Sequence, residues 1–256
     1  MADTGDRTNG GAPRCVALVG PQSSGKTTLL ESILFATDAI KRKGSIKEGS
    51  TVGDHAEEAR ARGMSTEPSI ASTRYLDDDW TIVDCPGSVE LAQDSYNALM
   101  CADAAVVVCE PDLDRAVALA PMLRFLDDMA IPHMLFINKM DTASVRVADV
   151  MQALQGVSAR PLVLRQIPIR ESDAVTGYVD LVSERAYHYK PGKPSDLVTI
   201  PDSVQDREQE ARQEMLESLA DFDDTLLEQL LEDVQPAKDE IYEQISKDLA
   251  GDLIVP

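Results

Sequence analysis

Basic and aromatic residues are scarce in this sequence. Its 256 residues include 24 Lys and Arg against 45 Asp and Glu, for a formal net charge of -21, and only 4% are aromatic. Because a broad phosphate-binding face needs clustered Lys and Arg, this composition argues against direct DNA binding. The hydrophobic fraction of 43% is still enough for a sizeable core, which must be mostly aliphatic.

Long apolar runs, paired cysteines and clustered histidines are also missing. No run approaches the length of a membrane span, and residues 1–13 are polar without the apolar segment of a signal peptide. We therefore predict no membrane partner, a cytoplasmic location and a flexible tail at 1–13. The cysteines form no C-x-x-C pair, which favours buried, reduced thiols. The three histidines are widely spaced and are predicted to be loop or edge residues without a metal cluster: His55, His133 and His188.

Short apolar runs alternate with helical patterns from residue 14 onwards. The runs at 15–19, 80–83, 104–109 and 134–137 predict strands, and the pattern at 27–36 predicts a helix. This alternation predicts an α/β fold, with a mostly parallel sheet and helices on both faces. After residue 157 the composition shifts towards a second sheet and three acidic helices. The predicted domains are 14–157, an inserted α+β subdomain at 158–250, and a return strand at 251–256.

A glycine-rich motif lies between the first strand and the first helix. Residues 20–27, GPQSSGKT, match G-x-x-x-x-G-K-[ST] in the context that a P-loop NTPase requires. Backbone N–H groups and the helix N-terminus would hold phosphates, Lys26 would reach the β- and γ-phosphates, and Thr27 would bind Mg²⁺. The predicted phosphate-binding residues are Gly20, Pro21, Gln22, Ser23, Ser24, Gly25, Lys26, Thr27 and Thr28.

An acidic D-x-x-G motif follows the strand at 80–83. Asp84 is predicted to hold Mg²⁺ directly or through water, and the Gly87 N–H to sense the γ-phosphate. A further magnesium hydroxyl is expected from the long polar loop before residue 68. Ser65 and Thr66 are the two candidates, and the alternative is that both hydroxyls are merely solvated.

The motif N-K-x-D follows the strand at 134–137. The Asp141 carboxylate can accept two hydrogen bonds from guanine, and adenine lacks that donor pair, so the motif favours GTP or GDP over ATP. Asn138 would tie this loop to the P-loop, and the Lys139 stem would cover the base. An ATPase of the same fold conflicts with Asp141.

Taken together, these motifs resemble the GTPase domain of bacterial elongation factor G. The resemblance covers nearly all of residues 14–256 and includes the first helix and the inserted subdomain. It implies binding of GTP and Mg²⁺, with the ribosome as partner of a longer multidomain protein. It also allows a contact between the acidic helices and a ribosomal stalk protein, although a solvated helical surface explains those charges equally well.

Three positions depart from that family's pattern. Ser23 stands where the family has Asp, Ser88 where it has the His that orients the attacking water, and Ser65 where it has Thr. Gln22 and Ser23 instead resemble the P-loop of dynamin-type GTPases, in which the Gln positions water and the Ser helps hold a monovalent cation. Gln22 and Ser23 are therefore the candidate catalytic residues, unless Gln22 only bonds loop backbone.

Two functions remain open at this point. The first is a translation-factor-like GTPase in which hydrolysis is slow or altered by the non-standard catalytic residues. The second is a GTP-binding regulatory or scaffold module with little or no hydrolysis, which Ser23 and Ser88 favour.

Overall fold

The computed structural model describes residues 14–54, 56–143, 145–171, 174–190 and 192–256, so the tail predicted at 1–13 and His55 lie outside the described residues. The chain divides into two compact units, Met1–Cys109 and Glu110–Pro256. We refer to them as the N-terminal and the C-terminal unit.

The N-terminal unit contains a mostly parallel sheet. Its strands are β1 (Arg14–Val19), β2 (Ser69–Tyr75), β3 (Asp78–Asp84) and β4 (Ala104–Cys109). They lie in the order β2-β3-β1-β4. Strand β1 is parallel to β3 and β4, whereas β2 and β3 form an antiparallel hairpin. The central strand β1 is an apolar run because Ala17, Leu18 and Val19 are fully buried.

The described residues of this unit also form α-helices. They are α1 (Lys26–Ala36), α2 (Glu57–Arg62) and α3 (Ala92–Leu99). Leu30 and Leu34 of α1 pack with Leu18 of β1, as the helical spacing of the apolar residues requires. The polar stretch before residue 68 contains the short helix α2, whose charged residues leave only Ala59 buried within it.

The C-terminal unit begins with shorter helices and one strand. These elements are α4 (Leu113–Ala116), α5 (Ala120–Asp128), β5 (His133–Ile137) and α6 (Val147–Gln155). The Asp112 side chain caps α4 by accepting hydrogen bonds from the backbone N–H groups of Asp114 and Arg115.

A second, antiparallel sheet and the helices α7 to α9 complete the described part of this unit. The sheet has the order β6 (Gln166–Glu171), β7 (Ala174–Asp180), β8 (Arg185–His188) and β9 (Asp196–Val198). The helices are α7 (Asp202–Ala220), α8 (Asp224–Leu231) and α9 (Lys238–Ala250). Val179 of the sheet shares one aliphatic core with Leu216 of α7 and Ile241 of α9.

The last residues of the chain differ from the predicted return strand. Residues 253–255 form no extended strand; Val255 makes a single parallel bridge with Leu162. The segment is nevertheless fixed by backbone hydrogen bonds, since the Val163 N–H donates to Val255 O and the Leu135 N–H to Pro256 O. Too few consecutive residues pair for a strand to be formed.

Two further observations bear on the sequence predictions. Cys85 and Cys109 are buried, but Cys101 is exposed and Cys15 is half-buried, so the expectation of buried thiols is wrong for Cys101. Among the described helices, none combines the length and apolar character needed to cross a lipid bilayer.

Candidate functional site

The glycine-rich loop after β1 depends on unusual backbone angles. Gly20 has a φ of 136°, and a Cβ there would lie 2.1 Å from the Val108 carbonyl oxygen. Gly25, just before α1, has a φ of 100°, and Ser23 also lies in the left-handed region at 65°. Only glycine accommodates the first two positions without strain, which accounts for both glycines of the motif.

Lys26 folds back over this loop. Its Nζ donates hydrogen bonds to Gly20 O and Pro21 O, each at 3.0 Å, and the residue is 6% exposed. Burial lowers the pKa of Lys26, while the nearby carboxylate of Asp84 opposes that shift. The ammonium group is therefore held at the mouth of the loop, where an anion would offset its lost hydration.

Thr27, Ser65 and Asp84 form a hydroxyl–carboxylate cluster at the carboxyl ends of β1 and β3. The Thr27 hydroxyl donates to Asp84 Oδ2 at 2.6 Å, and its Oγ1 lies 3.5 Å from Ser65 Oγ. Of the two candidate loop hydroxyls, that of Ser65 thus makes the contact with Thr27. The second oxygen of Asp84, Oδ1, is enclosed without a hydrogen-bond partner among the described residues.

Burial dominates the electrostatics of this cluster. It raises the pKa of Asp84 to about 6, although the Thr27 hydrogen bond and the Lys26 charge both act in the opposite direction. A cation facing Asp84 Oδ1 would stabilise the ionised carboxylate and lower that pKa again. The cluster therefore offers two hydroxyls and a carboxylate to a positively charged ligand.

Gly87 lies directly against Gln22 of the glycine-rich loop. A Cβ at Gly87 would be 2.5 Å from Lys26 Nζ and 2.6 Å from the Gln22 backbone nitrogen, so position 87 requires glycine. The Gln22 amide nitrogen donates to the Met64 sulfur at 3.5 Å. Gln22 therefore contacts the residue next to Ser65.

The N-K-x-D motif lies in the C-terminal unit, directly after β5. Lys139 adopts a left-handed backbone with a φ of 57° and forms an ion pair with Glu110. Residues Met140–Thr142 form a 3-10 turn, closed by the Thr142 hydroxyl donating to Lys139 O at 2.9 Å. Asp141 lies on this turn and is exposed, so its carboxylate is accessible to a ligand.

Comparison with known proteins identifies the family. Residues 12–235 match the model of the elongation factor Tu GTP binding domain. The chain belongs to this family. It is 51% identical over 243 residues to an elongation factor G-like protein of Synechocystis sp., which covers 95% of this chain and 36% of the relative. It is also 28% identical over 209 residues to elongation factor G of Mycoplasma pneumoniae, covering 80% of this chain and 30% of the relative.

The three-dimensional comparison agrees with the sequence match. A crystal structure of a Thermus thermophilus protein superposes with a TM-score of 0.86 at 27% identity, over 95% of this chain and 36% of that one. This chain is thus an elongation factor G-like GTP-binding domain with the α/β P-loop fold and an additional antiparallel sheet. It spans about a third of the length of the relatives that it matches.

The family implies GTP or GDP and Mg²⁺ as bound groups, and residues of the N-terminal unit fit them. Hydroxyl and carboxylate oxygens are the donors that Mg²⁺ prefers, and the hydroxyl–carboxylate cluster supplies both kinds. At Gly20 and Gly87 the backbone approaches neighbouring groups too closely for a Cβ, so the close packing of the phosphate-binding loop depends on glycine there.

Glu31 is an anchoring residue that sequence reasoning missed. It is 1% exposed within α1, and its two carboxylate oxygens accept hydrogen bonds from the backbone N–H groups of Gly44 and Val52, at 2.6 and 2.5 Å. In this GTP-binding domain those amides belong to the loop that leads towards Ser65. The signal in the sequence is an acid beside the apolar positions Leu30 and Leu34, where burial requires a partner.

One cleft of the C-terminal unit lies away from the motifs. It has a volume of about 780 Å³ and is lined mainly by residues of α6 and α7. None of the predicted nucleotide-binding residues lines it. A smaller cleft of about 440 Å³ includes Lys139, Glu110 and Thr142.

His133 differs from His188 in its environment. It is 1% exposed at the start of β5, whereas His188 is exposed in β8. One ring nitrogen of His133 and one carboxylate oxygen each of Asp127 and Asp252 lie within 4.8 Å of one another. The spacing of the histidines in the sequence does not reveal this proximity, because the two acids come from distant parts of the sequence. We call these three residues the histidine cluster.

Proposed function

We propose that this chain is the GTP-dependent switch domain of a translation factor. The hydrogen bond between Thr27 and Asp84, with Ser65 beside it, carries this proposal because it supports a Mg²⁺ position next to the phosphate-binding loop. In this proposal residues 14–157 and 251–256 form the nucleotide-binding domain and 158–250 the inserted subdomain. Asn138, Lys139 and Asp141 select the guanine base.

Each residue of the N-terminal unit has a defined task in this proposal. Lys26 supplies positive charge to the phosphates, and the N–H groups of the P-loop, up to Thr28, donate hydrogen bonds to them. Mg²⁺, when bound, would neutralise phosphate charge. Thr27 and Ser65 would hold it through their hydroxyls and Asp84 through its carboxylate. The Gly87 backbone lies against Lys26 and Gln22, and its N–H would respond to the presence of a terminal phosphate.

Hydrolysis in this domain would be slow or altered. Ser88, at the position where the elongation factor G family has the water-orienting His, cannot act as an imidazole; its carbonyl oxygen accepts a hydrogen bond from the Leu91 N–H at 3.0 Å. Gln22 is the candidate substitute because its amide contacts Met64, adjacent to Ser65. Ser23 would then help to hold a K⁺ or Na⁺ ion. Loss of one preorganised group costs roughly a hundred- to a thousandfold in rate.

The second candidate function is a GTP-binding regulatory or scaffold module. The serines at positions 23 and 88 favour it, since both replace groups of the hydrolysis machinery. Such a module would bind GTP and GDP through the same residues and would hydrolyse little or no GTP.

The partner that we propose is the ribosome, engaged by the longer protein of which this domain is a part. A ribosomal stalk protein is a further candidate for the helices α7–α9. The exposed residues Leu227 and Leu231 on α8 support a contact there, since they are 44% and 78% exposed. The remaining surface of these helices is acidic and well suited to solvent.

Nucleotide titration tests the binding proposal. We expect fluorescent GDP and GTP analogues to bind in the presence of Mg²⁺, ATP not to compete, and EDTA to weaken binding. The variant Asp141→Asn should lose the preference for guanine while keeping the fold. Equal competition by ATP and GTP against the wild-type domain would refute a GTP-dependent switch.

Single-turnover hydrolysis separates the two candidate functions. The full-length protein should hydrolyse GTP faster with ribosomes than without. Hydrolysis should also be faster in buffer that contains K⁺ than in buffer that contains neither K⁺ nor Na⁺. Gln22→Ala should abolish the cation effect, whereas Gln22→Glu tests whether the amide itself is needed. Tight GTP binding without turnover under either condition would instead support the scaffold module.

A further inference from the structure

The histidine cluster lies entirely in the C-terminal unit and is independent of the nucleotide-binding motifs. Asp127 comes from the end of α5, His133 from the first position of β5, and Asp252 from the segment after α9. The His133 side chain is fully buried and Asp252 is 6% exposed. Two acids and an imidazole from three elements thus meet in the interior.

The hydrogen bonding of the cluster leaves acceptors facing one another. His133 Nδ1 lies 3.0 Å from Ile131 O, and because a carbonyl only accepts, Nδ1 carries the hydrogen. Whenever Nδ1 carries the only ring hydrogen, Nε2 is a lone-pair acceptor. Within the described part of the chain, neither His133 Nε2, Asp127 Oδ1 nor Asp252 Oδ1 has a hydrogen-bond partner, and all three atoms are buried.

A single water molecule cannot donate hydrogen bonds to all three buried acceptors. Three acceptors need three donors, whereas one water donates only two hydrogens. Leaving a buried acceptor unpaired costs roughly 1–3 kcal/mol for each group. A cation would satisfy all three at once, since carboxylate oxygens and an imidazole nitrogen are ordinary ligands of Zn²⁺.

Neighbouring groups already orient the potential ligands. The Arg160 guanidinium donates to Asp252 Oδ2 at 2.8 and 3.3 Å, which leaves Oδ1 outside that ion pair. Oδ1 lies beside the His133 ring, 3.9 Å from its Nδ1 atom. The Ile131 carbonyl fixes the His133 tautomer. Metal-binding carboxylates and imidazoles commonly have such supporting partners. Asp127 and Asp252 together carry two negative charges against the single positive charge of Arg160, so the cluster attracts a cation.

We propose that Asp127, His133 and Asp252 form a buried binding site for a divalent transition-metal ion of the Zn²⁺ type. The ligand atoms lie within 4.8 Å of one another, and ligands about 2.0–2.2 Å from one ion are at most about 4.4 Å apart. Small inward shifts of the side chains would therefore close the site. Such an ion would join the C-terminal segment to β5 and α5, so it would stabilise the part of the chain that ends at Pro256.

Metal counting tests this site directly. Chelator-treated protein is titrated with Zn²⁺ alone by calorimetry and then analysed for bound zinc. One Zn²⁺ per chain is expected for the wild type, and it should raise the melting temperature. The variants His133→Asn and Asp252→Asn should bind Zn²⁺ at least about tenfold more weakly. His188→Asn, which changes the exposed histidine of β8, is the matched control and should bind as the wild type does.

A second set of variants separates this site from the nucleotide-binding residues. Thr27→Val removes a hydroxyl proposed to bind Mg²⁺ and should keep the Zn²⁺ stoichiometry unchanged. Asp127→Asn tests the least buried ligand if the other variants fold poorly, as judged by circular dichroism without metal. Substitution by Co²⁺ should give visible absorption bands that disappear in His133→Asn.

Several outcomes would overturn the proposal. These are the absence of Zn²⁺ binding to the folded wild type, unchanged binding in His133→Asn, or loss of binding in Thr27→Val alone. A His133 ring that takes up a proton on acidification, in a protein that binds no metal, would assign the cluster to proton binding instead.

Discussion

The hydroxyl–carboxylate cluster and the histidine cluster are built in opposite ways. Asp84 is the last residue of β3, and Thr27 lies in the first turn of α1, after the loop that follows the parallel neighbour β1. The sheet itself therefore brings them together at its carboxyl edge. The histidine cluster draws on a helix end, a strand start and a segment after α9. Both contain a buried carboxylate oxygen without a partner among the described residues. The comparison teaches that local motifs reveal the first kind of site, whereas long-range packing alone creates the second.

The largest expected effect concerns the backbone that supports the hydroxyl–carboxylate cluster. Gly20→Ala places a methyl group against Val108 O, at a φ of 136°. We expect destabilisation of roughly 1–3 kcal/mol from overpacking, with backbone strain added to it. Urea unfolding measures the change. Gly63→Ala is the control, because Gly63 has a φ of 62° but meets nothing within 4 Å in the described structure; equal losses would mean that the Val108 contact has no effect.

The next effect is on ligand binding in the same cluster. Thr27→Val keeps the side-chain shape but removes the hydroxyl that bonds Asp84. We expect the Mg²⁺-dependent affinity for GDP to fall roughly 10- to 100-fold. Fluorescence titration at several Mg²⁺ concentrations measures it. Thr27→Ser retains the hydroxyl and should stay near the wild type; if Val and Ser behave alike, the hydroxyl is not a ligand.

A smaller effect is expected at the histidine cluster. Arg160→Gln removes the guanidinium that bonds Asp252, a carboxylate that is only 6% exposed. Asp252 would then be buried without its ion-pair partner, which should lower the free energy of unfolding by about 1–2 kcal/mol, measured in metal-free buffer. Arg146→Gln breaks the surface pair with Asp149 and should produce no measurable change. Similar losses in both variants would show that burial of Asp252 does not matter.

The smallest effect is a difference in thiol reactivity. Burial raises the pKa of the Cys85 thiol to about 12, with the adjacent Asp84 charge adding to the shift, and Cys109 is also buried. Only a thiolate reacts readily, so the exposed Cys101 should be alkylated first. Mass spectrometry after brief iodoacetamide treatment at neutral pH locates the label. Cys101→Ser should remove the fast phase, and fast labelling of Cys85 would contradict the buried environment of Asp84.

Much of the N-terminal unit follows from the sequence because its determinants are local. The spacing of Leu30 and Leu34 predicts α1, and the apolar run before Gly20 predicts the buried strand β1. The proximity of Thr27 and Asp84 follows from the rule that parallel strands bring their carboxyl ends to one edge. Hence the fold class and the cluster were both predictable.

The remaining features depend on contacts between distant residues. His133 stands in an ordinary apolar strand pattern, and nothing nearby indicates that Asp252 will pack beside it. The predicted strand at 253–255 has the right composition, yet its pairing with Leu162 is limited to a single bridge. Whether an apolar run becomes a strand depends on the partner that tertiary packing provides.

Glu31 has a consequence for how the nucleotide-sensing loop can move. Its carboxylate accepts hydrogen bonds from the amides of Gly44 and Val52, so both ends of residues 44–52 are bonded to α1. Residues 44–52 would then move together with α1. Any rearrangement of Ser65 would therefore begin after Val52. The segment that moves would be shorter than the full loop between α1 and β2.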